Sequence, residues 1–429
     1  MDFLLFFIGL ISLFKGRTHS VITIITILSS RYLQLPIHSS FAVNFLFPHN
    51  VEDVGLLLYI IWFITYLAKG RVVRSHPMIK YVVIFYLFLV ASSIYDVSIG
   101  TPLGDTIKYM RQWLLLTVVF IAPNISLSTI KQSLKQLTTI TIYICLYLLF
   151  IRITHITDVL ELTSADGRGI KPPSYTMICS LLVWANPWGL TNSKKYTYLI
   201  ILMLPVILSL KITYTITIVA LIMLYTLTKR NIDGIKRVIT IVVIVIGVAF
   251  FASSASEFMG RVSEITTNLS TLSLEDIESE DNFTYRLAHS SERLQYILKS
   301  PDKMIRGLGF ITEKNYKREE FIIGLWDEDK NMVTQLDTGD IAWSILFLRL
   351  GLLGLAIYLC GYFKLIAVMI KNRAVSDIYG IYAVVFIVFL TFTSLGNTII
   401  TMGEFFFIPL LITNYSKLRY ENSSRDLVA

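Results

Sequence analysis

Long apolar runs separated by short polar connectors make up most of this chain. Eleven runs have the length, or nearly the length, to cross a bilayer, and two shorter runs precede them. Because an open strand edge cannot stay unpaired in hydrocarbon, each run is predicted to be a helix. The pattern predicts an all-α polytopic membrane protein with 12–13 transmembrane helices. The runs cover residues 2–14, 20–35, 54–68, 79–97, 109–122, 136–153, 174–190, 196–210, 212–228, 238–252, 341–369, 376–395 and 400–416.

Composition agrees with a membrane setting. Of the 429 residues, 54% are hydrophobic and 16% are charged, and the mean hydropathy is +0.64. Soluble globular proteins carry roughly 25% charged residues. These values exclude a soluble globular protein, a disordered tail and a disulfide-rich scaffold. Cys145, Cys179 and Cys360 lie inside apolar runs, where a thiol behaves as a small hydrophobic group rather than as a bridge or a metal ligand.

The charged residues are distributed unevenly along the chain. Residues 253–340 contain 10 basic and 17 acidic side chains, although the whole chain has a net charge of +8. The basic excess lies in short connectors, for example at 69–80, 131–135, 229–237 and 364–373. By the positive-inside rule these connectors are cytoplasmic and the acidic segment faces outward. Such an excess indicates topology and not nucleic-acid binding.

This topology divides the chain into three predicted parts. Residues 1–252 form an N-terminal transmembrane bundle, residues 253–340 form one large periplasmic loop that contains short helices, and residues 341–429 form the C-terminal transmembrane helices with a short cytoplasmic tail. A loop of 88 residues far exceeds the length that joins packed helices. We therefore expect it to have structure and purpose of its own.

One helix is predicted within the loop, over residues 282–299, and Ser300-Pro301 ends it. Arg286, His289 and Arg293 fall on one stripe of this helix, about 120° from its apolar stripe. Two guanidinium groups two turns apart suit an anionic ligand such as a diphosphate. The alternative is a solvated face whose cations pair with Glu292 or with the acidic residues at 275–281.

Two carboxylates lie immediately before the span that begins at residue 341. A carboxylate at the edge of a low-dielectric region has its pKa raised toward the range that suits a general base. Asp337 and Asp340 are therefore candidate catalytic residues, together with His289 of the loop helix. Capping of the following helix is an equally supported role for the two aspartates.

Further cations near the outer face are candidate phosphate contacts. Arg306 precedes Gly307-Leu308-Gly309, where two glycines let backbone N–H groups approach a ligand, although a lone G-x-G is more often a turn. Lys211 lies between two apolar runs, and Arg168 lies in an outer loop. A lysine that snorkels to the interface and ordinary loop polarity are the alternatives.

Motifs of soluble enzymes are absent from the sequence. It contains no Walker loop, no G-x-S-x-G elbow, no H-E-x-x-H and no Cys and His at metal-binding spacing. We therefore expect neither a cofactor nor a metal.

The order of these features resembles the bacterial O-antigen polymerase and O-antigen ligase superfamily. In topology the likeness covers nearly the whole chain, and in motifs it covers residues 286–354. One position departs from the family pattern, because Lys211 stands where family members commonly carry an arginine. The matching segments are Tyr285-Arg286-Leu287-Ala288-His289, Glu292-Arg293-Leu294, Ser300-Pro301, Gly307-Leu308-Gly309-Phe310, Asp337-Thr338-Gly339-Asp340 and Arg349-Leu350-Gly351-Leu352-Leu353-Gly354.

The resemblance implies a metal-independent, inverting glycosyltransferase of the integral-membrane, GT-C-like type in the bacterial inner membrane. Its donor would be a glycan linked to undecaprenyl diphosphate. Carried over by position, Arg286, with Arg293 as a second candidate, would neutralise the diphosphate leaving group. Asp340 or Asp337 would deprotonate the acceptor hydroxyl.

Three functions compete under this resemblance. The leading one is a repeat-unit polymerase of O-antigen or capsular polysaccharide, with a chain-length regulator as a possible partner besides the bilayer. The second is an O-antigen ligase that moves finished polymer onto lipid A core. The third, from another class, is a flippase for lipid-linked oligosaccharides or another transporter.

Overall fold

The structure of the protein is a computed structural model that describes most of the chain. Several predicted features lie outside the described residues: the first domain boundary at 252–253, the span at 238–252, the acidic residues at 275–281, Arg168, Lys211, Asp337 and Asp340. The described residues are 2–30, 51–70, 76–111, 113–154, 172–209, 212–229, 283–316, 321, 323–327, 332–336, 341–391, 394 and 398–413.

Helices dominate the described residues. A single small hairpin of two short strands interrupts them within these residues. The α-helices are α1 (Asp2–Phe14), α2 (Thr18–Ser29), α3 (Val51–Ala68), α4 (Ile79–Ser98), α5 (Leu103–Arg111), α6 (Leu127–Thr154), α7 (Thr176–Ala185), α8 (Asn192–Leu208), α9 (Ile212–Thr228), α10 (Phe283–Leu298), α11 (Pro301–Arg306), α12 (Ala342–Asn372), α13 (Asp377–Thr391) and α14 (Gly403–Ile412). The strands are β1 (Leu325–Asp327) and β2 (Met332–Thr334), paired antiparallel with Trp326 opposite Val333.

Three described helices, α4, α6 and α12, are long and apolar enough to cross a membrane, judged by length and composition. Shorter apolar helices of 10–17 residues accompany them. At 1.5 Å per residue these extend about 15–25 Å, against a hydrocarbon thickness of about 30 Å. The described part is therefore that of an α-helical membrane protein. The total of 12–13 spans and the outward side of residues 253–340 stay predictions.

One predicted helix has a different structure. The apolar run at 109–122 was expected to be a single span, but α5 ends at Arg111 and a 3₁₀-helix follows over Leu114–Phe120. Seven residues of 3₁₀-helix extend only about 14 Å, too short to cross a bilayer. This segment packs against α14, and most of its side chains are buried. The apolar side chains of this segment therefore pack in the interior of the bundle.

A break divides α12 into two parts. Gly351 has φ +60° and ψ −170°, which is not a helical conformation. The part after the break, residues 352–372, extends about 31 Å, close to the thickness of the hydrocarbon core. The part before the break packs against α10 and α11. The first turns of α12 thus belong to the docking surface for the loop.

Aromatic side chains fill the centre of the bundle. Phe85 of α4 meets Trp113 at 5.1 Å between ring centroids, and Tyr362 of α12 meets Phe386 of α13 at 4.9 Å. Trp113 and Tyr362 are almost completely buried. Because each aromatic ring buries a large apolar area, this cluster holds helices from both halves of the described chain together.

Candidate functional site

The predicted loop helix is confirmed as α10, which spans Phe283–Leu298 and packs against α12. Its cationic stripe is not a solvated face. His289 and Arg293 are each 0% exposed, whereas Arg286 is partly exposed. Of the three predicted stripe residues, only Arg286 presents part of its side chain at the surface.

Arg293 organises the interior of the loop. Its guanidinium donates to the Glu292 carboxylate at 2.5 Å and to the carbonyl oxygens of Ile323 at 2.5 Å and Gln335 at 2.8 Å. It also lies over the Phe321 ring, 4.3 Å from the centroid. A buried guanidinium needs such partners because an uncompensated charge in the interior is costly. In this structure the Arg293 side chain joins α10 to the hairpin region, and its predicted contact with a diphosphate stays a prediction.

His289 connects α10 to the start of α12. Its Nδ1 lies 2.9 Å from the Ser344 hydroxyl, which also lies 3.1 Å from the hydroxyl of Ser290. Burial, and then the charge of Arg293, lower the pKa of His289 to about 3. The imidazole is thus neutral near pH 7. Its placement favours a structural role, and its predicted catalytic role stays a prediction.

Arg306 is also engaged within the protein. It donates to Asp96 of α4 at 2.6 Å and to Asp302 at 2.9 and 3.0 Å, and its guanidinium lies 4.0 Å from the centroid of the Tyr95 ring. Burial opposes its charge, but the hydrogen bonds and charges of Asp302 and Asp96 outweigh burial and raise the pKa of Arg306. Arg306 thus fastens α11 to the end of α4, and its predicted role as a phosphate contact stays a prediction.

The G-x-G segment is a docking turn. Gly307 has φ +71°, and a Cβ there would collide with the carbonyl oxygen of Leu348. Leu308 donates its N–H to that carbonyl at 2.7 Å. The N–H of Phe310 donates to Asp96 at 2.8 Å, and Arg349 donates to the carbonyl of Gly309 at 3.2 Å. The glycines therefore allow two backbones to meet, which is the alternative that the sequence left open.

A second carboxylate holds the segment that follows. Asp105 of α5 accepts from the N–H and hydroxyl of Thr312, each at 2.9 Å, and from the amide of Asn315. Burial raises the pKa of Asp105, but these hydrogen bonds from Asn315 and Thr312 outweigh it and leave the pKa lowered. Glu313 in turn accepts from the N–H groups of Gln335 at 2.8 Å and Leu336 at 2.7 Å. The chain just before Asp337 is thus held from two sides, by Glu313 and by Arg293.

Asp96, Asp105 and Glu313 were not singled out from the sequence. The position of Asp96 in the sequence could have identified it, because a carboxylate inside an apolar span requires a partner. Asp105 and Glu313 could not have been identified in this way, since each lies among other polar loop residues. The remaining predicted site residues, Asp337, Asp340, Lys211 and Arg168, lie outside the described residues.

No protein-family model matches this chain. A search of curated proteins finds no match either. Within the described ranges, no three His, Cys, Asp or Glu side chains lie close enough to hold a metal ion.

Proposed function

We propose that this protein is an integral-membrane glycosyltransferase that polymerises O-antigen or capsular repeat units at the periplasmic face of a bacterial inner membrane. The acceptor hydroxyl oxygen attacks the anomeric carbon of the donor glycan, and the bond from that carbon to the diphosphate breaks. The hydroxyl proton passes to a carboxylate, and undecaprenyl diphosphate leaves. The step inverts the anomeric configuration.

The observation that carries this proposal is the hydrogen bond between His289 and Ser344. Arg286 lies about one helical turn before His289, and Asp340 precedes Ser344 by four positions in the sequence. The contact therefore supports a site in which a cation on α10 and a carboxylate ahead of α12 act on the same substrate.

The charges suit the proposed chemistry. Departure of a diphosphate concentrates negative charge on the leaving group, so a preorganised cation stabilises the transition state more than the ground state. Of the two arginines on the stripe, Arg286 is partly exposed, whereas Arg293 is 0% exposed. Arg286 is therefore the proposed diphosphate contact.

The first test is Arg286→Ala in a strain that lacks the native copy. Loss of one transition-state cation is expected to reduce chain elongation by about 10²–10³-fold, on the scale of losing one oxyanion-hole donor. The polysaccharide ladder on a gel measures the effect, and immunoblotting of membranes shows that the protein is present.

Lys299→Ala is the matched control, because Lys299 is an exposed cation directly after α10. It should leave the ladder unchanged. Wild-type polymer length in Arg286→Ala would contradict the assignment.

In the same assay, a defect in Asp340→Asn but not in Asp337→Asn identifies Asp340 as the base, and the reverse result identifies Asp337. Transfer onto lipid A core, with no elongation of lipid-linked glycan, would instead indicate a ligase.

A further inference from the structure

Two short helices beside the end of α4 expose apolar side chains. In α5, Leu103 and Ile107 are 61% and 57% exposed and lie one turn apart on the same face. In α11, Ile305 is 53% exposed, and Met304 beside it is also exposed. Exposed apolar groups of this size are unfavourable in water when they gather on neighbouring elements.

The opposite sides of the two helices hold them against the protein. Asp105 of α5 is buried and hydrogen-bonds Thr312, and Tyr109 stacks on Phe310 with ring centroids 4.6 Å apart. In α11, the Arg306 guanidinium bonds Asp96 at 2.6 Å. Both helices are therefore fixed in orientation, with their polar contacts inward and their apolar side chains outward.

The same contacts fix how deep the two helices lie. Asp96 and Tyr95, which Arg306 contacts, belong to the last turn of α4, and α4 ends at Ser98. Helix α5 begins five residues after that end. Helices α5 and α11 therefore lie at the depth at which α4, a candidate span, leaves the hydrocarbon core.

The exposed surface of α4 leads directly to this level. Leu87 near its middle is 65% exposed, and Ile94 and Ile99 near its end are also exposed and apolar. The exposed apolar side chains of α5 and α11 therefore lie at the level where the exposed apolar side chains of α4 end. Lys108 of α5 is also exposed, and its ammonium group can meet phosphate headgroups at this level.

We propose that α5 and α11 form a collar that lies in the membrane interface around the end of α4. Its apolar side chains insert among the acyl chains of phospholipids, and Lys108 lies at the level of their phosphates. The collar is a lipid-binding surface and does not depend on the proposed glycosyl transfer.

Spin labelling of single cysteines tests the collar. The labels go on Ile107→Cys and Ile305→Cys in a Cys360→Ser background, because Cys145 and Cys179 are buried and Cys360 is exposed. The purified full chain is reconstituted in vesicles of phosphatidylethanolamine and phosphatidylglycerol. Collision rates are then measured with oxygen, which concentrates in lipid, and with a water-soluble nickel chelate. Should a variant fail to fold, Leu103→Cys or Met304→Cys replaces it.

Two reference positions calibrate the measurement. Leu87→Cys reports mid-membrane, and Gln295→Cys reports water, since Gln295 is an exposed polar residue of α10. Both collar positions should collide with nickel severalfold less often than Gln295→Cys and should fall between the references in depth.

Two results would overturn the collar. Nickel collision rates equal to those at Gln295→Cys would place the helices in water. Exclusion of both reagents would mean that protein, such as a second copy of the chain, covers them. Because no sugar substrate enters the experiment, its failure is separate from failure of the proposed activity.

Discussion

At the scale of single residues, close backbone contact is what attaches the loop to the membrane helices. The backbone of Gly307 lies against that of Gly351, and both glycines have positive φ values, +71° and +60°. A side chain at either position would meet backbone atoms, which cannot move aside as a flexible side chain can. The buried Asp96 completes the contact by accepting from Arg306 and Phe310.

Gly307→Ala should therefore detach this turn. Gly307 has φ +71° and ψ −149°, a conformation that costs alanine about 1–3 kcal/mol, and the collision with the Leu348 carbonyl adds to that cost. We expect a lower midpoint of thermal unfolding in detergent and faster proteolysis of the loop. Gly380→Ala is the control, because nothing lies within 4 Å of an added Cβ there. An equal effect of the two substitutions would contradict the docking role of Gly307.

At the scale of secondary-structure elements, the junction between α10 and α12 depends on a buried imidazole. The pKa of His289 falls from an ordinary value of 6.5 to about 3, first through burial and then through the charge of Arg293. The unfolded chain therefore binds a proton at a higher pH than the folded chain does. The stability of this junction is complete above about pH 6.5 and declines as the pH falls toward 3.

His289→Gln should weaken that pH dependence. Glutamine keeps a polar group toward Ser344 but has no proton to gain in this range. Thermal unfolding measured at about pH 7.5 and about pH 5 should show a smaller loss of stability in the variant than in the wild type. If both proteins lose the same amount on acidification, another group controls the response.

The positions of several helices could be predicted from the pattern of apolar residues, whereas contacts between distant residues could not. The run predicted at 212–228 coincides with α9, and the loop helix predicted at 282–299 differs from α10 by one residue at each end. Both segments have apolar patterns that predict a helix from the local sequence alone. The pair of Asp96 and Arg306 is separated by 210 positions, so no local pattern joins its members. The burial of Arg293 likewise depends on Phe321 and Gln335, whose arrangement only the folded loop defines.

At the scale of the whole molecule, the chain combines a bundle with an aromatic interior and a loop attached along α4 and α12. The interior of the bundle and the junction with the loop differ in their chemistry. Aromatic rings fill the bundle, whereas carboxylates and guanidinium groups join the loop to it. A polar junction at the end of a span suits the membrane boundary, where water still reaches its rim. The predicted outward orientation of the loop follows from the charge of the connectors.

Chemical labelling tests that orientation. Ser291→Cys, exposed on α10, should react with a membrane-impermeant maleimide in intact spheroplasts of the Cys360→Ser strain. Lys135→Cys, exposed on the first turns of α6, should react only after the inner membrane is permeabilised. The opposite pattern would invert the topology.

The break at Gly351 has a consequence for the lipids around the protein. A continuous helix can meet a thicker bilayer by sliding along its axis or by tilting. In α12 the docked turns before the break prevent sliding, so the 21 residues of 352–372 must match the bilayer at a nearly fixed length. The protein is therefore expected to work best within a narrow range of acyl-chain lengths, and longer or shorter lipids would strain the loop attachment rather than the helix.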